Sequence, residues 1–285
     1  MTLPTTDTIV TYCSDTAPNG DTTAEARVLH VESLEGRLAV LLDRTACHPV
    51  DAGWPDQGAD RAVLDAGDVT IEVLDAVVAA TDGESLFLGA DIPVRKGTDG
   101  WAFVVAHLVD VDASLTEGDT VTVEVDAGYR ELLSAGHTAC HLASLALDAA
   151  LADAWSKDNR GFEAAANVTS TIRERGARDT YRVGKSLRKA GFDPAALDDP
   201  DAVAATVNAT LASWVAAGGT IRIDRDGDLL TDRRYWVADL PSGEVRLACG
   251  GTHVHSIAEL GAVSVELTTE QLEGALGLTM LTTAG

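Results

Sequence analysis

The 285 residues carry 45 acids against 21 bases, a formal net charge of -24, with 46% hydrophobic residues. That apolar content suits a globular chain long enough for one large domain or two ordinary ones, and no apolar run is long enough for a membrane span. The N-terminus lacks a basic start and an apolar h-region, so a signal peptide is not expected and a cytoplasmic location is.

Such an acidic field repels polyanions at long range. Only four bases are lysines, Lys96, Lys157, Lys185 and Lys189. Abundant Asp with scarce Lys suggests a salt-adapted source or a GC-rich genome. In concentrated salt the Debye length falls to a few ångström and acidic repulsion weakens. The four cysteines, Cys13, Cys47, Cys140 and Cys249, contain no C-x-x-C pair and are too scattered for a disulfide framework.

In chain order, the first part reads as strands. Arg27 to Val31 and Arg37 to Leu42 are short apolar runs separated by the Glu35-Gly36 turn. Val69 to Leu74 and Val121 to Val125 alternate with period two, and Trp101 to Leu108 is a further strand. Many short strands with turn signals suggest a small β-barrel over residues 1–128. From Tyr129 to about Trp155 the chain is rich in Ala and Leu and lacks Pro, which predicts a buried helix. Asp201 to Ala217 predicts another, with Asp199 and Pro200 at its start and Gly218-Gly219 after its end. Thr220 to Asp224, Val245 to Ala248 and Ala262 to Leu267 read as strands. Thr268 and Gln271 form a capping-box pattern that predicts a last helix. Residues 129–285 are therefore expected to form an α+β domain.

His137 and His141 stand at i, i+4 on the long helix, on one face and one turn apart. The string His-Thr-Ala-Cys-His lacks the Glu of H-E-x-x-H, so the zincin protease reading loses its general base. The pair alone also arises by chance on an Ala-rich helix. Cys249-Gly-Gly-Thr-His253 follows a strand and offers a thiolate and an imidazole from one glycine-containing loop. Two helix histidines plus Cys249 and His253 complete a zinc-type set, with sulfur and imidazole favouring Zn²⁺ over Mg²⁺ or Ca²⁺. His255 is a rival ligand to His253. Cys140 faces away from the histidines by helical phase and is expected to be packed.

Three stretches resemble the editing domain of alanyl-tRNA synthetase and its free-standing AlaX-type relatives. They are Leu41 to Thr45 with Pro49 behind it, Val125 to Leu142 with its two histidines, and Cys249 to Val254 ending in Ala258 to Gly261. The resemblance spans roughly residues 25 to 265. It implies a small β-barrel domain followed by an α+β zinc-binding domain of the threonyl/alanyl-tRNA synthetase additional-domain type. The implied activity is hydrolysis, in trans, of Ser-tRNA(Ala) and often Gly-tRNA(Ala). The nucleophile would be a water activated by the zinc, with no side-chain base assigned. Thr45 matches the threonine that recognises a serine hydroxyl, and Thr252 with the Gly250 and Gly251 amides is expected to orient the ester carbonyl. The family's Gly-Gly-Gln is replaced here by Ala52-Gly53-Trp54, with Pro55-Asp56-Gln57-Gly58 following. Its Gln-Lys-Gly-Ser segment is not recognisable, and Ala164 to Phe192 stands in its place.

That longer stretch gathers Arg173, Arg175, Arg178, Arg182, Lys185, Arg188 and Lys189 around Tyr181. The cluster is the expected contact to the tRNA acceptor end, with Tyr181 stacking on a base; a solvated face paired with Glu174 and Asp179 is the plainer alternative. Two other functions stay open: a zinc hydrolase of another small ester or amide, and a tRNA-binding module whose zinc is structural. No nucleotide cofactor and no membrane partner are expected.

Overall fold

The computed structural model describes residues 2–14, 17–34, 36–157 and 161–285; Glu35, the first residue of the expected Glu-Gly turn, lies outside them. Contacts divide the chain into two compact units. The first comprises Met1–Glu131, Ile221–Ala238 and Val245–Thr252, and the second Leu132–Thr220, Asp239–Glu244 and His253–Gly285. No described helix is long and apolar enough to cross a membrane.

The first unit opens with β1 (Ile9–Val10), β2 (Thr23–Leu34), β3 (Arg37–Leu42), β4 (Arg44–Thr45) and β5 (Ala62–Asp65). It continues with β6 (Thr70–Val73), β7 (Asp75–Thr81), β8 (Leu86–Leu88), β9 (Ala102–Asp110) and β10 (Thr120–Val125). Eight of these form one sheet in the order β6-β5-β10-β2-β3-β9-β7-β8. This corrects the expected barrel. Closure needs every strand paired on both sides, whereas among the described residues β6 pairs only with β5 and β8 only with β7. The sheet bends at β2, whose register shifts between Val28 and His30; its first half pairs with β10 and its second with β3. Ala39 to Leu42 are all fully buried, as expected of a strand covered on both faces. One face packs Ala39, Leu41, Ala79, Val104 and Ala106 together.

Helix α1 (Ala127–Ala150) follows. Its first turn belongs to the first unit and carries Arg130, which is 1% exposed. The Arg130 guanidinium makes a paired bond to Asp60, also buried, and donates to the carbonyls of Asn19 and Ala46. Two buried charges are tolerated because each is matched and its remaining polar atoms are bonded.

The second unit contains the rest of α1, then α2 (Phe162–Ala165), β11 (Asn167–Arg173), β12 (Gly176–Val183), α3 (Lys185–Ala190) and α4 (Pro200–Ala217). As expected, Asp199 caps α4 by accepting from the Ala202 amide, with Pro200 in the first turn. A three-stranded sheet of β13 (Ile221–Arg225), β14 (Arg234–Leu240) and β15 (Gly243–Ala248) comes next in sequence, most of it in the first unit. The chain ends with β16 (Val263–Leu272) and β17 (Ala275–Ala284). The second unit's sheet runs β11-β12-β17-β16. The helix expected from Thr268 and Gln271 is instead the end of β16. Period-two alternation buries Val263, Val265 and Leu267, and Gly274, at φ +70°, turns the chain into β17. That long-range pairing overrides a local capping pattern. Asn208 of α4 treats β16 as a further strand would, accepting from the Val265 amide at 2.7 Å and donating to its carbonyl at 3.0 Å.

Within the second unit, positions 136, 140, 144 and 148 of α1 form an i, i+4 stripe. Any Cβ on Gly136 would lie 2.1 Å from the Arg173 carbonyl oxygen, so only glycine lets the β11–β12 turn approach the helix there. Cys140 meets the Asp179 carboxylate at 3.5 Å, Ser144 meets the Tyr181 hydroxyl at 3.4 Å, and Asp148 accepts from the Glu163 amide. Cys140 is therefore packed, as its phase predicts.

Candidate metal centre

Helical geometry brings His137 and His141 together, with ring centroids 4.8 Å apart. The His253 ring stands 4.3 Å from that of His137 and 5.2 Å from that of His141. With Cys249, these form a group whose ligand atoms all lie within 4.8 Å of one another. His137 and His253 are fully buried, Cys249 is 6% exposed, and His141 is half-buried. Three imidazoles this close cannot all be protonated without strong repulsion. Neutral imidazoles and a thiolate around one cation satisfy the same geometry, and the mixed N/S donors fit Zn²⁺. His255, the rival ligand, is exposed and outside this group.

Two side chains hold the Cys249–His253 loop, and the sequence pattern pointed to neither. Thr138, between the helix histidines, accepts from the Val254 amide at 3.2 Å, and its hydroxyl lies 3.2 Å from His253 Nδ1. With Nδ1 engaged there, Nε2 is the nitrogen a cation would take. Gln57 clamps Thr252 twice: its Oε1 accepts from the Thr252 amide at 3.1 Å, and its Nε2 donates to the Thr252 hydroxyl at 3.0 Å. Both residues are buried. Thr252, expected beside the ester carbonyl, is thus a loop anchor. The only hint of Gln57 was its place just after the altered Gly-Gly-Gln position.

Asp179 is fully buried behind the helix. Burial pushes its carboxyl above the usual range, opposed by hydrogen bonds from Ser170 and Cys140 and by the fields of His141 and His137. Burial likewise raises Glu163, with His141 and Ser144 pulling it back.

Gly250 and Gly251 line a cleft of about 430 Å³ in the first unit, together with Cys249, Trp54 and Arg233. Thr45 is not on its wall. Thr45, the residue expected to meet a serine hydroxyl, is fully buried, and its hydroxyl makes internal bonds. Its Oγ1 accepts from the Cys47 amide at 3.0 Å and lies 2.9 Å from His107 Nε2. His107 Nδ1 faces the Val40 carbonyl at 3.2 Å and must donate to it. Nε2 is then an acceptor, and the Thr45 proton points at it. Burial lowers the His107 pKa to about 4, which keeps this tautomer neutral at ordinary pH.

The basic segment is a hairpin followed by a short helix. Arg173, Arg178, Arg182, Lys185, Arg188 and Lys189 are exposed. Arg182 and Arg188 donate to the carbonyls of Glu273 and Gly274. Tyr181 is 2% exposed and packs on Phe162, with ring centroids 5.4 Å apart. It cannot offer its face to a base. Strand alternation is the reason, because Arg182 and Thr180 point out and Tyr181 therefore points in.

No protein-family model matches the chain. It is 30% identical over 269 residues to the alanine–tRNA ligase of Halorubrum lacusprofundi, covering 89% of this chain and 24% of the ligase. It is 26% identical over 240 residues to the alanyl-tRNA editing protein AlaX-M of Pyrococcus horikoshii, covering 84% of this chain and 83% of that protein. The chain is homologous to both. It spans about a quarter of the ligase's length and most of the editing protein's. The His/Cys group and this homology together support a metal-dependent enzymatic activity.

Proposed function

We propose that the chain is a zinc-dependent editing hydrolase that removes serine, and also glycine, from mischarged tRNA(Ala). The observation that carries this reading is the four-residue His/Cys group in a chain homologous to an alanyl-tRNA editing protein along most of both lengths. His137, His141, Cys249 and His253 would hold the ion. When bound, zinc supplies Lewis acidity toward the ester carbonyl and lowers the pKa of water. Thr138 fixes the His253 ring, and Gln57 fixes the loop through Thr252. The Gly250 and Gly251 amides border the cleft, where an ester carbonyl can be oriented. The outward cations of the hairpin and α3, Arg173, Arg178, Arg182, Lys185, Arg188 and Lys189, are the proposed contact to the tRNA backbone. They are a local basic surface on an acidic chain.

The test is deacylation of Ser-tRNA(Ala) by the purified, zinc-loaded protein. Release of serine, faster than release of alanine from Ala-tRNA(Ala), is expected. No hydrolysis with zinc bound overturns the reading. A second reading has its own support: four protein donors, three of them buried, is the form of a structural zinc site. In that case chelation unfolds the protein and no aminoacyl-tRNA is hydrolysed.

A further inference from the structure

The sheet of the second unit buries one face, and its outer face meets solvent. Asp179, Tyr181, Leu278 and Met280 are buried, on the side where Cys140 and Ser144 of α1 meet the sheet. The alternate residues point the other way. One row of them, Thr169, Thr180, Thr279 and Thr268, crosses all four strands. The charges of this outer face are sorted by strand. Arg178 and Arg182 stand on β12, Glu266 and Glu270 stand on β16, and β17 runs between them. All four are exposed, and none makes an ion pair among the described residues.

Their register is matched. Leu281 of β17 has Arg178 as its partner on one side and Glu266 on the other, and Gly277 has Arg182 and Glu270. Each Arg and its Glu therefore flank β17 at one level, about 4.8 Å to either side. Leu281 itself is 41% exposed, a large apolar side chain in the middle of a polar face. A polyanion laid over this face meets the two carboxylates as well as the arginines. A second copy does not. A two-fold axis along β17 exchanges left and right and keeps the level, so Arg178 of each copy faces Glu266 of the other, and Arg182 faces Glu270. Leu281 then meets its own counterpart on the axis, as an isologous contact requires. Small residues at Gly277 and Thr279 suit two sheets stacked about 10 Å apart. The net charge of -24 on each copy opposes association at long range, but at about 0.15 M salt that field is screened within about 8 Å. The local pattern then decides.

We propose that the outer face of β11-β12-β17-β16 is the interface of a homodimer, with the two copies related by a two-fold axis along β17. Arg178 and Arg182 are also among the cations given to tRNA above, so a second copy and tRNA compete for them; that competition, unlike the dimer, rests on the editing reading. The test is sedimentation velocity of the full chain over a range of concentrations. The unchanged protein dimerises. Arg178→Glu with Arg182→Glu, and separately Glu266→Arg with Glu270→Arg, each weaken dimerisation about a hundredfold or more, because like charges then face one another. An equimolar mixture of the two variants dimerises again, since every facing pair is once more of opposite sign. An unchanged protein that stays monomeric, variants that dimerise as before, or a mixture that stays monomeric overturns the interface. Circular dichroism checks the fold of each variant. If either fails to fold, Leu281→Asp is read instead: it sets two carboxylates on the axis, and unaltered dimerisation overturns the proposal. Adding tRNA(Ala) separates the two readings. Dissociation of the dimer supports both. A dimer that binds tRNA and persists keeps the interface and removes Arg178 and Arg182 from the tRNA contact. A monomer that binds tRNA through them does the reverse.

Discussion

Two segments look functional from their residue types alone, and the fold treats them in opposite ways. The Cys249–His253 loop is buried except at Gly250 and is held by Thr138 and Gln57. The 173–189 segment is split by strand alternation into outward cations and an inward Tyr181. Clustering in sequence therefore means different things in the two places. Ligands converge because a helix turn and a short loop set their spacing. Binding residues on a strand reach one surface only at every second position.

The largest expected effect is at the loop. His137→Ala or Cys249→Ala should abolish stoichiometric metal and lower deacylation by more than the roughly 10–100-fold typical of partners behind the ligands; metal analysis and single-turnover assays measure both. If either variant retains a full equivalent of zinc, the ligand set is wrong. Next comes the buried Arg130–Asp60 pair. Asp60→Ala leaves a buried guanidinium uncompensated and should cost about 3–5 kcal/mol in urea unfolding. A loss below 1 kcal/mol would show that the pair is not the main tie among those first-unit loops.

A third effect is set by pH. His107 takes up a proton in the unfolded chain near pH 6.5 but in the folded chain only near pH 4. Its contribution to stability is therefore complete above 6.5 and is lost as pH falls from there toward 4, up to about 3 kcal/mol. His107→Phe should flatten the fall in unfolding free energy over that window; an unchanged slope would mean that other groups carry it. The smallest effect is on the basic surface. Arg182→Gln with Lys185→Gln should weaken tRNA binding and lower its salt slope by about one per cation removed, without loss of metal. Tyr181→Leu, which removes the ring, should leave tRNA binding of the folded protein unchanged. Reversal of those two outcomes would restore the tyrosine as the contact.

The parts legible in sequence were those with local periods. An Ala- and Leu-rich run without Pro gave α1, start and stop residues marked α4, and the helical repeat aligned His137 with His141. Strand alternation, with short apolar runs, located five of the eight strands of the first sheet and missed β5, β7 and β8. It says which face a side chain takes but not which edges meet, so an open sheet read as a barrel. The supporting bonds were out of reach for another reason. Gln57 and Thr252 are 195 residues apart, Arg130 and Asp60 are 70 apart, and Thr45 and His107 are 62 apart. No spacing rule links such pairs. Thr138 was the nearest to visible, since it stands inside the His-Thr-Ala-Cys-His string, but hydroxyls on a buried helix carry no signal of what they hold.

One measurement bears most directly on the central claim. Ser-tRNA(Ala) deacylation is followed on one sample as purified, after chelation, and after zinc is restored, with circular dichroism recorded at each stage. The account predicts hydrolysis that is lost on chelation and regained with zinc while the fold persists. Persistent hydrolysis in the metal-free protein, or none in the zinc-loaded protein, would contradict it.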